Sequence, residues 1–196
     1  THFLPEGFDA EGFDEATQRA WSLFVEAAER RFHAAIDRSN FHLEVPLALG
    51  DALISTGALL VHEGTPEDPL RFEAVPISQV IPEESPDGTI RTVFRAFDAP
   101  GRDLAERWPD AKLPDDLTRR IEDDPDAPVA VVEATLWNPE RRLYDYAVFL
   151  RDGEHRLVER RYRTSPWVVF RIDKATGETM GRGPVLDARA DIATAN

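Results

Sequence analysis

The sequence contains no cysteine. Disulfide staples and thiolate metal sites are therefore excluded, and the composition fits a reducing compartment. It has no apolar run approaching the roughly 20 residues of a membrane-spanning helix, and its N-terminal stretch has no basic-then-apolar leader pattern. Positive charge is scarce. Lys and Arg number 23 against 37 Asp and Glu, a net charge of −14. A surface of that sign repels phosphate, which argues against a protein that grips nucleic acid by neutralising its backbone. It is compatible with one that lets nucleic acid slide past. No internal repeat and no low-complexity tract is visible.

What is present is enough to fold. With 196 residues, 42% hydrophobic and 9% aromatic, the chain can build one domain with a sizeable core or two very small ones. Residues 1–12 read as irregular. Asp14 is positioned as an N-cap. From Ala16 to Ile36, Trp21, Phe24, Val25, Ala28, Phe32, Ala35 and Ile36 recur at three- and four-residue steps, an amphipathic helix. Ser39-Asn40 breaks it. A second, more apolar helix runs from Phe41 to Thr56, with Pro46 in its first turns and Gly50 read as a point of close packing. The short link between the helices predicts an antiparallel pair. Gly57 ends the second helix and leads into a strand, Ala58–His62.

Strand patterns follow at Leu70–Val75, Ile77–Ile81 and Thr89–Phe97, the last two joined by the hairpin signal Ser85-Pro86-Asp87-Gly88. Short helices are expected at Asp103–Trp108 and Asp115–Ile121. The acidic, proline-rich stretch Glu122–Pro128 reads as a mobile tip. A meander then runs through Val129–Trp137, Leu143–Arg151 and His155–Tyr162, and Trp167–Ile172 is expected to close the sheet. Lys174–Gly183 forms a loop, and Pro184 opens a helical pattern with Val185, Leu186, Ala188, Ile192 and Ala195. That pattern reaches Asn196 without a C-cap signal, so a piece of a longer protein is expected. The predicted class is α+β: an N-terminal antiparallel helix pair on a largely antiparallel sheet with short helical inserts, all in a single domain over 1–196.

Chemical signatures are few. Gly177, Gly181 and Gly183 before a helix could cradle a phosphate. No Lys-Ser/Thr pair follows them and no G-x-G-x-x-G spacing is present, so a tight turn that lets backbone pack closely is the favoured reading. His2, His33, His42, His62 and His155 match no zinc spacing. No G-x-S-x-G elbow presents a nucleophile. The stretch Glu122–Asp126 does not match a calcium loop and reads as a solvated surface. No catalytic, cofactor or metal residue is therefore assigned. One stretch departs from the acidic average. Arg151, Arg156, Arg160, Arg161 and Arg163 stand against Asp152, Glu154 and Glu159. This hairpin either meets an acidic partner or phosphate, or guards a sheet edge with charge.

An ordered set of segments resembles a known family. Ser39-Asn40-Phe41-His42 precedes Asp51-Ala52-Leu53-Ile54-Ser55-Thr56-Gly57-Ala58-Leu59-Leu60, where a helix ends in T-G and runs into a strand. Leu70–Ile77 and Asp87–Arg95 resemble the sheet that follows. Ser165-Pro166-Trp167 to Arg171, then Gly181-Arg182-Gly183-Pro184 with Asp187-Ala188 and Asp191-Ile192, resemble the family's strand, G-x-G-P turn and helix start. The family is the portal, or head-tail connector, of short-tailed bacteriophages and their prophages, and the resemblance runs from about Ala16 to Asn196. Residues 1–12 and 111–128 match nothing in it.

The resemblance implies a structural, non-enzymatic subunit of a self-assembled ring, a dodecamer in the full-length protein, at the capsid vertex of the virion. It would be assembled in the bacterial host cytoplasm. Double-stranded DNA would pass through the channel without sequence-specific binding, driven by the terminase, and tail or adaptor proteins would attach afterwards. No cofactor and no membrane are implied. This chain would be a wing-like fragment, with 184–196 the start of a helix leading onward. Gly181, Gly183 and Pro184 would form the turn that aims that helix, and Arg156, Arg160, Arg161 and Arg163 are candidates for a subunit interface. Two other readings compete. One is a soluble acidic enzyme domain with a carboxylate-metal site, which needs carboxylates and a histidine to converge on one pocket, whereas the acidic residues read as spread over helix faces and loops. The other is a stand-alone interaction domain, which the uncapped terminal helix argues against.

Overall fold

The computed structural model describes residues 12–153 and 155–188. Helix α1 spans Glu15–Arg38, and the Asp14 carboxylate caps it by accepting from Thr17 N at 2.7 Å. Ser39 ends it: its N–H donates to Ala35 and Ile36 carbonyls, and its hydroxyl to Ile36. Helix α2 follows at Phe41–Ile54. The pair sits on the sheets through α2. Ala48 and Ala52 of α2 are fully buried, whereas α1 buries only Val25. Gly50 departs from expectation. Nothing lies within 4 Å of where its Cβ would stand, because the two alanines, and not the glycine, mark the packed side.

Among the described residues, eight strands form two antiparallel sheets. The first is three-stranded, ordered β2-β1-β8, with β1 at Thr56–Glu63, β2 at Leu70–Ala74 and β8 at Trp167–Arg171. The second is five-stranded and ordered β3-β4-β5-β6-β7: Val80–Glu84, Ile90–Pro100, Pro128–Asn138, Leu143–Leu150 and Arg156–Tyr162. This is the expected α+β class. Strand β8, however, does not close the meander. The Pro166 carbonyl accepts from Val61 N at 2.8 Å, which lays β8 beside β1 and leaves β7 as an edge. Nor is Ile77–Ile81 one strand. Ile77–Gln79 is a single 3₁₀ turn, closed by Gln79 N donating to Pro76 O, and it carries the chain from one sheet to the other.

Two cores result. One lies between the sheets, where Ala58, Leu60 and Trp167 of the small sheet meet Val80 and Val93 of the large one. The other lies where α3 (Gly101–Arg107), Trp108 and α4 (Asp115–Asp123) cover β4 to β7, with Leu104, Leu117, Val131, Val148 and Leu157 at its centre. Each fully buried Leu or Val contributes roughly 1.5–3 kcal/mol. The acidic tip is pinned. Gly101 N donates to Ala127 O at 3.1 Å, Arg102 N to Pro125 O at 2.9 Å, and the Arg102 guanidinium pairs with Asp126. These bonds tie the tip to the start of α3. Among the described residues no helix is long and apolar enough to cross a membrane. The helical pattern beyond Ala188 lies outside the described residues; α5 itself spans Pro184–Asp187.

Candidate functional site

Strands alternate their side chains between faces, so a charged residue at an inward position must be paired or pay the full cost of desolvation. Two such residues face each other across β4 and β5. Arg95 lies between Val93 and Phe97, Glu133 between Val131 and Thr135, and the two are register partners. Arg95 is 4% exposed and Glu133 2%. Arg95 Nη1 stands 3.5 Å from Glu133, its Nη2 donates to Glu73 of β2 at 2.8 Å, and its Nε donates to Gln79 at 3.0 Å. The guanidinium also lies over the Phe97 ring, 4.1 Å from its centroid.

Glu73 is the hub. It receives Arg95 from β4, Arg107 of α3 at 2.7 Å and His62 of β1 at 2.8 Å. Burial opposes its charge. The His62 hydrogen bond and the charges of Arg95 and Arg107 outweigh burial and hold the carboxyl well below its ordinary range. Glu133 also accepts from the Tyr146 hydroxyl at 3.0 Å, and that hydroxyl accepts from Trp108 Nε1 at 2.9 Å. Burial and the neighbouring Glu133 charge push Tyr146 well above its ordinary value, so its proton stays on. Arg107 Nε is buried without a hydrogen-bond partner among the described residues, 3.8 Å from Glu133. The network floors a cavity of about 870 Å³ between the sheets, with Arg160, Tyr162, Thr164 and Ser165 on its wall.

Two glutamates and a histidine thus converge, which corrects the reading of acidic residues spread over helices and loops. Their chemistry is nevertheless that of paired ions. Each carboxylate is matched by a guanidinium, and among the described residues no group of three histidine, aspartate or glutamate side chains is placed to hold a metal ion. From the sequence alone, no role is assigned to Glu73, Arg95, Arg107, Trp108, Glu133 or Tyr146, and His62 is read only as matching no zinc spacing. The available signal was a lone Arg and a lone Glu at inward positions of alternating strands, T-V-F-R-A-F and V-V-E-A-T.

The glycine turn lies elsewhere, against the junction of α2 and β1. Gly181 N donates to Thr56 Oγ1 at 2.7 Å, and its carbonyl accepts from Ser55 Oγ at 3.0 Å. Gly183 N donates to Ile54 O at 3.1 Å. A Cβ on Gly183 would collide with the Leu53 carbonyl, and one on Gly181 with the Ser55 carbonyl. Both glycines are therefore sites of close backbone approach. Pro184 occupies the first position of α5. Gly177 is distinct: its φ of +82° places it in the left-handed region of the preceding loop.

The arginine stretch lies on β7, an edge strand. Arg156 pairs with Glu159 at 3.0 Å, Arg160 Nε donates to Asp110 at 3.1 Å, and Arg161 Nε lies 3.3 Å from Asp145. Arg163, just past the strand, is exposed. The chain does not bring these arginines onto the glycine turn.

A family model described as bacteriophage head to tail connecting protein matches residues 7–196. The chain belongs to that family. Comparison with curated proteins finds no match. A head to tail connecting protein has a structural role at the joint between phage head and tail, and is a component of the virion. The family is not one of known enzymes. The inter-sheet network fits a structural role in a head-tail connector. It fastens β1 and β2 to β4, β5 and α3 through directional charge pairs that fix how one sheet sits on the other.

Proposed function

We propose that this chain is the wing-like part of a portal subunit of the short-tailed phage type. Full-length copies assemble into a dodecameric ring at one capsid vertex. Genomic DNA enters through the ring under terminase drive and leaves through it once tail or adaptor proteins have bound. The observation that carries this reading is the family match over residues 7–196, which includes the G-x-G-P turn and the start of α5. The charge of −14 supports it, since an acidic conduit does not hold the DNA backbone. The seat of Gly181 and Gly183 on α2 supports a role in aiming the chain that follows Pro184, and Arg156 to Arg163 on β7 are the candidate contacts with a neighbouring subunit.

Negative-stain electron microscopy of the full-length protein tests the proposal. Rings with a central opening support it; scattered monomers at all salt concentrations contradict it. The alternative is a soluble enzyme with a carboxylate-metal site. The meeting of His62, Glu73 and Glu133 favours it, and the arginine matched to each carboxylate opposes it. Tight, stoichiometric binding of a divalent cation that Glu73→Gln abolishes would turn the balance.

A further inference from the structure

Residues 174–183 carry the chain from β8 to the G-x-G-P turn, and this loop is held from two directions. Its end lies on α2 and the small sheet, where Gly181 N donates to Thr56 Oγ1 and Gly183 N to Ile54 O. The other hold is a side chain. Arg171, the last residue of β8, stands opposite Thr56, and its guanidinium reaches across to the large sheet. Nη1 donates at 2.8 Å to Glu84, at the end of β3, and at 2.8 Å to the Thr179 carbonyl of the loop. Nη2 donates to the Gly88 carbonyl in the β3–β4 turn at 3.4 Å.

The Arg171 side chain is 16% exposed and that of Glu84 20%. A guanidinium so covered needs partners on several of its five N–H groups, and this one has a carboxylate and two carbonyls. Its stem runs along Gly181, where a Cβ would stand 3.0 Å from Arg171 Cβ and Cγ. Gly181 is therefore small for two reasons, the Ser55 carbonyl and the Arg171 stem. A planar fork that bonds three chain segments at once fixes them relative to one another, which a rotating ammonium does not. Lys174 also pairs with Glu84, but from the far end of the loop and on a flexible stem.

We infer that Arg171 is a positioning residue that makes the G-x-G-P turn answer to the β3–β4 hairpin. A change at the hairpin tip shifts the Arg171 fork, the fork shifts Thr179, and the line on which the chain leaves at Pro184 shifts with it. The inference rests on the proposed function only for what the outgoing chain builds. The coupling itself belongs to this chain and is measured without a ring.

Amide exchange of the ¹⁵N-labelled chain reads the coupling at Gly181, Arg182 and Gly183, whose N–H groups bond to Thr56, Asp173 and Ile54. Glu84→Ala, a change on the hairpin, speeds all three about tenfold. Arg171→Met speeds them as much, and Glu84→Ala added to it speeds them no further. Arg171→Lys recovers part of the protection, and Lys174→Met leaves the three amides as they are in the wild type. Val131 and Val148, in the middle of the large sheet, stay protected throughout. Should Arg171→Met unfold, Glu84→Ala, Arg171→Lys and Lys174→Met still decide. Three outcomes overturn the inference: a turn that Glu84→Ala leaves unmoved, effects of Glu84→Ala and Arg171→Met that add, or Lys174→Met matching Glu84→Ala. In the full-length protein Arg171→Met lowers the yield of rings and Arg171→Lys restores part of it; an undiminished yield overturns the inference. Absence of rings from the wild type sinks the portal reading instead and leaves the exchange result standing.

Discussion

Glu73 joins three partners from three elements: His62 on β1, Arg95 on β4 and Arg107 on α3. Replacing it with glutamine leaves Arg95, 4% exposed, with the more distant Glu133 as its remaining carboxylate partner. We expect Glu73→Gln to cost about 3 kcal/mol in urea unfolding at pH 7. The pH dependence has a definite sign. The folded carboxyl titrates below the ordinary glutamate value of 4.5. Its contribution is fully present above about pH 4.5 and is lost as pH falls through the folded value, because the unfolded chain takes up its proton first. The wild type should therefore lose stability more steeply than the Gln variant below pH 4.5, and parallel curves would contradict the assignment. Tyr146→Phe should cost about 1–2 kcal/mol by removing the proton that Glu133 accepts and the oxygen that Trp108 Nε1 needs. None of these roles was legible in the sequence. Glu73 sits in L-R-F-E-A-V, an ordinary half-exposed strand pattern, and only the stacking of one sheet on the other brings the Arg95 guanidinium to it.

At the scale of elements, β1 connects the two regions. Thr56 at its start holds Gly181, and His62 near its end holds Glu73. Helix α2 stabilises the small sheet through a polar line, Asn40, Glu44 and Asp51, that bonds the backbone of Phe72, Ala74 and Ile77. Asn40→Ala should cost about 2 kcal/mol, since it strands both a donor and an acceptor of Phe72, and native-state exchange should speed first at Phe72. Gly183→Val forces a side chain into the Leu53 carbonyl. In the full-length protein it should block ring assembly while the circular dichroism of the sheets persists; normal rings from that variant would refute the role given to the turn. Most elements were legible because each carries its own period and punctuation: Asp14 before α1, Asp87-Gly88 in the β3–β4 turn, Pro184 opening α5. Pairing was not. Nothing local in Trp167–Arg171 says that it joins β1 and not the meander, because that choice depends on a partner more than a hundred residues earlier in the chain. Gly50 misled for a related reason: a helical glycine signals close approach or solvent with the same letter.

For the molecule as a whole, charge and family point the same way. A chain of net charge −14 should not bind duplex DNA. Fluorescence anisotropy with a labelled duplex at about 50 mM salt should show no binding, and sub-micromolar affinity would contradict the conduit reading. Fold class could be read from composition and pattern, as could the connector family from the order of its segments. The inter-sheet network could not, since it exists only once both sheets are stacked. We propose that full-length subunits form a ring around a DNA passage. The mass in solution, by light scattering, of this chain beside the full-length protein tests this. A monomer or weak oligomer here with a ring-sized mass for the full-length protein is the predicted result. Two monomers across varied salt would rule the ring out.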